Sequence, residues 1–123
     1  MKTEPIGELI SILFLSRDIA HREHLTTDSY AQHMALGSFY EDILDLADSL
    51  AEIYQGCTGT RISDIPYYSN PMKGNILVTL KKMHSKVEEL RTQVLPDETP
   101  IQNIIDEVDA LFYSTIYKLT FLK

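Results

Sequence analysis

Four stretches of this chain repeat apolar residues at intervals of three and four, and no stretch alternates them at intervals of two. That pattern restricts the chain to helices packed on helices, because a helix buries a stripe whereas a strand buries every second residue. The first stripe is Ile6, Leu9, Ile10, Leu13 and Phe14, with Pro5 suited to the first turn and Thr3 or Glu4 as cap. It predicts a helix over residues 5–24. Thr26-Thr27-Asp28 is a polar break able to cap the next one. From Tyr30 the apolar positions Met34, Phe39, Ile43, Leu46, Leu50 and Ile53 predict a second helix over 28–55, with Gly56 as its stop. A third stripe, from Ile76 through Leu80, Met83, Val87 and Leu90, predicts a helix that begins at Asn70-Pro71 and ends before Pro96. Thr99-Pro100-Ile101-Gln102 reads as a capping box opening a fourth, with Ile101, Ile105, Val108, Phe112 and Ile116 on its inner face and Lys118 near its C-terminal end.

The links between these helices carry the next inference. The first and third are short, but residues 56–70 form one long connection containing Gly56, Gly59 and Pro66. We expect a helical turn near Ile62 to Ile65 and Tyr67 and Tyr68 tucked against the bundle. A long middle crossover between two helical hairpins is a feature of ferritin-like bundles rather than of simple up-and-down ones. The expected fold is therefore an all-α, ferritin-like four-helix bundle. At 123 residues, the chain is expected to form one domain, over residues 1–123.

Net charge and cysteine usage exclude several function classes. The chain carries a net charge of −7 and a pI near 4.9, so it offers no basic surface for nucleic acid and is suited to attracting cations. Its single cysteine, Cys57, rules out an intrachain disulfide and a cysteine-based zinc site, and reads as an inert thiol. No apolar run is long enough to span a bilayer, and the N-terminus lacks a signal-peptide layout, so a cytoplasmic protein is expected.

Chemistry concentrates between His21 and Glu52. His21, His24 and His33 flank the first interhelical break, while Asp48 and Glu52 lie four apart on one helical face. Imidazole and carboxylate suit iron, manganese or zinc. His33 and Asp48 share one helix, however, and fifteen residues at ~1.5 Å each separate them by about 22 Å. One ion can join them only if two chains pair antiparallel, which gives a twofold interface with two equivalent sites. Other groups read as ordinary surface: His84 as a solvated helix position, Asp106, Glu107 and Asp109 as a solvated acidic patch. There is no E-x-x-H and no H-E-x-x-H.

The spacing of His21, His33, Asp48 and Glu52, with Ala51 before the glutamate and Tyr40 between, resembles the Dps family of mini-ferritins. That resemblance implies ferroxidase sites at a twofold interface, with iron held by His21 and His33 of one chain and Asp48 and Glu52 of another, in a homo-oligomer from a dimer up to a dodecamer. Two positions depart from the family pattern. Arg22 stands where a tryptophan is usual, and Gly37 where an acid is usual, which leaves a mononuclear or partial site. The lysine-rich tail that some members use on DNA is missing. The chain also looks like small bacteriophage proteins carrying Y-x-x-H, F-Y and D-x-x-D-S-x-A-E-x-Y-Q-G, seen here from Tyr30 to Gly56, with Ile104-Ile105-Asp106-Glu107 later. This second likeness implies a location in host cytoplasm and no particular activity. The alternative to iron chemistry is thus a non-enzymatic helical oligomer with a degenerate metal site, acting as an interaction or structural protein.

Overall fold

A computed structural model describes residues 4–69 and 74–123. It contains four helices and, among the described residues, no strand: α1 (Pro5–Thr26), α2 (Tyr30–Thr58), α3 (Ile76–Arg91) and α4 (Thr99–Phe121). Each of the four apolar stripes forms a helix, and together they close one continuous core. Its largest fully buried side chains include Phe39, Phe112, Ile10, Leu13, Leu50 and Ile105. Phe39 of α2 meets Phe112 of α4 edge to face, with ring centroids 5.1 Å apart. Each such ring withdraws enough apolar surface to contribute roughly 1.5–3 kcal/mol.

Contacts along the chain fix the helix directions. Cys57, near the end of α2, lies beside Glu98 at the start of α4. Arg91 at the end of α3 meets Gln102 at the start of α4, and His84 farther back meets Asp109 farther on. The crossover leaves α2 beside the start of α1, where Glu4 accepts from the Ser63 amide at 2.7 Å and from the Ser63 hydroxyl. It then climbs α1 as far as Ser11, whose hydroxyl donates to the Pro66 carbonyl. Hence α2 and α3 run the same way, and each packs against α1 and α4, which run the other way. The α1/α4 and α2/α3 pairs lie across the diagonals.

Several boundaries differ from the expectation, each for a local reason. α2 runs through Gly56 to Thr58, because nothing at Gly56 demands a left-handed backbone. Gly59 does adopt it, at φ 69°, and closes the helix with its amide on the Gln55 carbonyl. The α2 cap is Ser29, whose side chain accepts from the Gln32 amide; Thr26-Thr27-Asp28 does not cap it. Asn70-Pro71 lies outside the described residues, and α3 starts later, capped by Asn75, which accepts from the Val78 amide. The expected capping box at Thr99 does not form: α4 has no side-chain cap, and Gln102 reaches across to α3. The expected turn at Ile62 to Ile65 is absent, and Tyr67 is fully exposed, at 103%. The Ile62 side chain alone in that segment packs on the core, while its amide donates to Gln55 at 3.0 Å.

The tie at Glu4 has a pH signature. Ser63's hydroxyl and amide hold the Glu4 carboxyl below its ordinary value of 4.5. A depressed carboxyl stabilises the fold above its unfolded value and loses that contribution as pH falls through the folded value. Acidification below about 4.5 should therefore release the start of the crossover. Protection of the Ser63 amide, its exchange rate relative to the intrinsic rate at each pH, should fall in that range, and Glu4→Gln should abolish the pH dependence of that protection. A Ser63 amide whose exchange follows only intrinsic chemistry in both proteins would sink this reading.

Candidate functional site

The first interhelical corner gathers the three predicted histidines. α1 ends at Thr26, so the His24 carbonyl has no partner one turn ahead. His33 supplies one: its Nδ1 lies 2.7 Å from that carbonyl, and His24 Nδ1 lies 2.6 Å from the His33 carbonyl. Since a carbonyl only accepts, both Nδ1 atoms carry the proton. The two rings stack at 3.8 Å, nearly parallel. Beside them His21 stacks on Tyr40 at 4.1 Å. Thr27 Oγ1 accepts from the Ser29 amide and the Gln32 side chain, fixing the turn between the helices.

Gly37 belongs to this corner. A Cβ there would stand 3.0 Å from Cε1 of His24, on a ring pinned by its own hydrogen bond and stack. The space beside Gly37, where the Dps pattern usually has an acid, is therefore filled by a ring that α1 contributes. His21 and His33 are half-buried, whereas Asp48 and Glu52 are exposed and lie fifteen and nineteen residues after His33 along the unbroken α2. Within one chain the structure brings the histidines together and leaves the carboxylates at the other end of the helix.

The second polar assembly was not foreseen, and it overturns two readings. His84 is buried, at 8% exposure, rather than solvated. Asp109 is mostly covered rather than part of a solvated patch. His84 Nε2 lies 3.1 Å from Asp109 Oδ1, with its ring against Phe112 and Tyr113. Arg91 Nη1 donates to Asp109 Oδ2 at 2.7 Å, Nη2 to Asp106 at 2.8 Å, and Nε to Gln102 Oε1 at 3.0 Å. Gln102 Nε2 in turn donates to the Arg91 and Val94 carbonyls, capping the end of α3. Burial holds His84 below its ordinary pKa, against the pull of the Glu88 charge. A hydrogen bond shared with Asp109, then burial, push Glu88 above its ordinary range. On Arg91, burial opposes the charge, but Asp106, Asp109 and Glu88 outweigh it and raise the pKa. One signal for this seam was present in the sequence. His84, Glu88 and Arg91 recur at four and three along α3, and Gln102, Asp106 and Asp109 at four and three along α4, equally far from the turn between them.

Comparisons with known proteins place the chain without assigning it a chemistry. Residues 24–119 match DUF5856, a family of unknown function. The chain belongs to that family. The matched span begins at His24 and takes in the corner from His24 onward, Asp48, Glu52 and the whole α3–α4 seam. The chain is also similar to an uncharacterized 14.6 kDa protein from the mobD-ri intergenic region of Enterobacteria phage T4, with 26% identity over 97% of this chain and 91% of that protein. No solved structure matches it significantly. Among the described residues no helix is long and apolar enough to cross a membrane.

The corner yields a two-way test. In a helix interior Gly→Ala ordinarily gains roughly 1 kcal/mol. Here the new methyl meets a pinned ring, and forced overpacking costs about 1–3 kcal/mol. Gly37→Ala should lower the melting temperature. The same change in a His24→Ala background should raise it, and the double-mutant cycle should show clear non-additivity. Additive effects would mean that Gly37 and His24 do not share this constraint.

Proposed function

We propose that this DUF5856 protein is a non-enzymatic, ferritin-like helical bundle that self-associates, acting as a phage-type structural or interaction protein. The carrying observation is a set of large apolar side chains left in solvent at one end of the bundle. Leu25 at the end of α1, Tyr30 and Met34 at the start of α2, and Tyr117, Phe121 and Leu122 at the end of α4 all belong to that end. Tyr30 is 77% exposed and Phe121 68%. Scattered apolar residues on a surface are ordinary, but a concentration at one end is the signature of a contact surface. The ferritin-like topology is supported by the crossover that makes α2 and α3 parallel, and the phage setting by the T4 relative. The histidine corner supports a structural role, because each Nδ1 is committed to joining α1 to α2. Light scattering on the purified chain should report a mass several times 14.1 kDa. Tyr30→Ser with Phe121→Ser should reduce it to the single chain with an unchanged helical spectrum. A wild-type monomer at micromolar concentration removes the proposal.

A second reading keeps the Dps-like iron site between two chains, and one observation favours it. With Nδ1 donating to a carbonyl, neutral His33 presents Nε2 as a free lone pair, the arrangement in which metal-binding histidines are commonly held. His21 and His33 of one chain would face the exposed Asp48 and Glu52 of another. Iron would there be bound and oxidised by dioxygen as a ferroxidase does, its redox chemistry belonging to the metal. Fe(II) added in air should then be oxidised faster than in buffer, and His33→Ala or Asp48→Ala should remove the acceleration. No acceleration and no bound iron by elemental analysis would falsify the iron reading while leaving the structural one intact.

A further inference from the structure

Metal-binding side chains converge within a single chain at one place among the described residues, and it is not the His21–Glu52 stretch. Nε2 of His84 and one oxygen each from Glu88 and Asp109 all lie within 4.8 Å of one another. We propose that these three side chains bind one divalent cation of the zinc class, with Arg91 as a positioning residue. Ligand atoms about 2.1 Å from one tetrahedral ion stand about 3.4 Å apart. His84 Nε2 is 3.1 Å from Asp109 Oδ1 and 3.6 Å from Glu88 Oε1, so both separations already bracket that edge. A small shift places an ion between them.

The surroundings favour a cation over a simple ion-pair cluster. Asp109 is held through Oδ2 by Arg91, which leaves Oδ1 aimed at the histidine. The His84 ring is fixed by Phe112 and Tyr113, so the nitrogen ligand costs little further ordering. Three carboxylates, Glu88, Asp106 and Asp109, share the one guanidinium of Arg91 beside the imidazole, and that excess of acidic groups is what a divalent ion offsets. One nitrogen and two oxygens leave a fourth position open, the arrangement of reactive rather than purely structural zinc. Glu88 is half-exposed and provides the entry from solvent. The rival acidic groove between α2 and α4, at Asp42, Asp45 and Glu107, has no nitrogen ligand, and its oxygens do not converge.

Co(II) reports on such a site directly, because tetrahedral nitrogen–oxygen coordination absorbs in the visible. Titration of the tag-free full chain should give one equivalent of Co(II) per chain, displaced by Zn(II). Glu88→Gln, at a position exposed enough to keep the fold, should weaken Co(II) binding by about tenfold or more. Asp109→Asn should do the same, and His33→Ala should leave the titration unchanged, which separates this site from any site at the histidine corner. Absence of a Zn(II)-displaceable absorbance in the wild type overturns the proposal. So does an absorbance that survives both Glu88→Gln and Asp109→Asn, or one lost only in His33→Ala.

Discussion

The crossover between α2 and α3 decides which helices become neighbours and at which ends of the bundle the two hairpin turns lie. A short link there would have set α3 antiparallel against α2. The chain instead returns along α1 after Gly59, held by Glu4 to Ser63 and by Ser11 to Pro66. α3 then begins at the same end as α2 and packs against α1 and α4. Only in that arrangement do α1–α2 and α3–α4 form two hairpins of opposite sense. Each hairpin buries its own polar assembly: the histidine corner at one turn and the arginine seam beside the other. Loops of this length are uncommon inside small domains, and their ordering is entropically expensive. The stakes at Glu4 and Ser11 offset part of that cost.

Periodicity made the helices legible and left their ends obscure. The stripes from Ile6, Tyr30, Ile76 and Ile101 were sufficient, because burial of a continuous face outweighs individual propensities. Termini depend on single backbone conformations that composition does not rank. Gly56 and Gly59 are both credible stops in sequence, yet the left-handed turn falls at the second. Thr99 and Gln102 read as a local cap, but Gln102 instead satisfies the carbonyls of Arg91, at the end of the neighbouring helix, and of Val94 in the turn after it. A side chain that has both a local and a distant partner cannot be assigned from spacing alone.

His84 illustrates the same limit for chemistry. With Leu80, Lys81 and Lys82 upstream it reads as surface, because Lys81 and Lys82 are indeed exposed. Its burial comes from Phe112 and Tyr113, contributed by a helix that begins fifteen residues later in the chain. The His21–Glu52 stretch shows the converse. Its spacing was legible, and the geometry of a straight helix already split it into two half-sites. What spacing did not reveal is that His24 is the ring that fills the space above Gly37. The glycine thereby has a steric reason within the chain, independent of any metal.

The two polar assemblies also differ in what they can do energetically. At the corner, imidazole N–H groups donate to carbonyls, so each bond contributes about 0.5–1.5 kcal/mol, mostly by satisfying a helix end. The seam buries charge. Bringing an arginine and an aspartate out of water costs several kcal/mol per ion, repaid only where geometry is close and every hydrogen is used. Arg91 comes close to that condition, with each of its three nitrogens donating, to Asp106, Asp109 and Gln102. Glu88 does not: it faces another carboxylate at Asp109 and is only loosely served by Arg91 at 3.8 Å. That carboxylate is the member of the seam least committed to holding α3 on α4. Its presence beside an imidazole nitrogen makes the seam, more than the histidine corner, the place in this chain where a single fold already supplies the charge and the geometry to hold a cation.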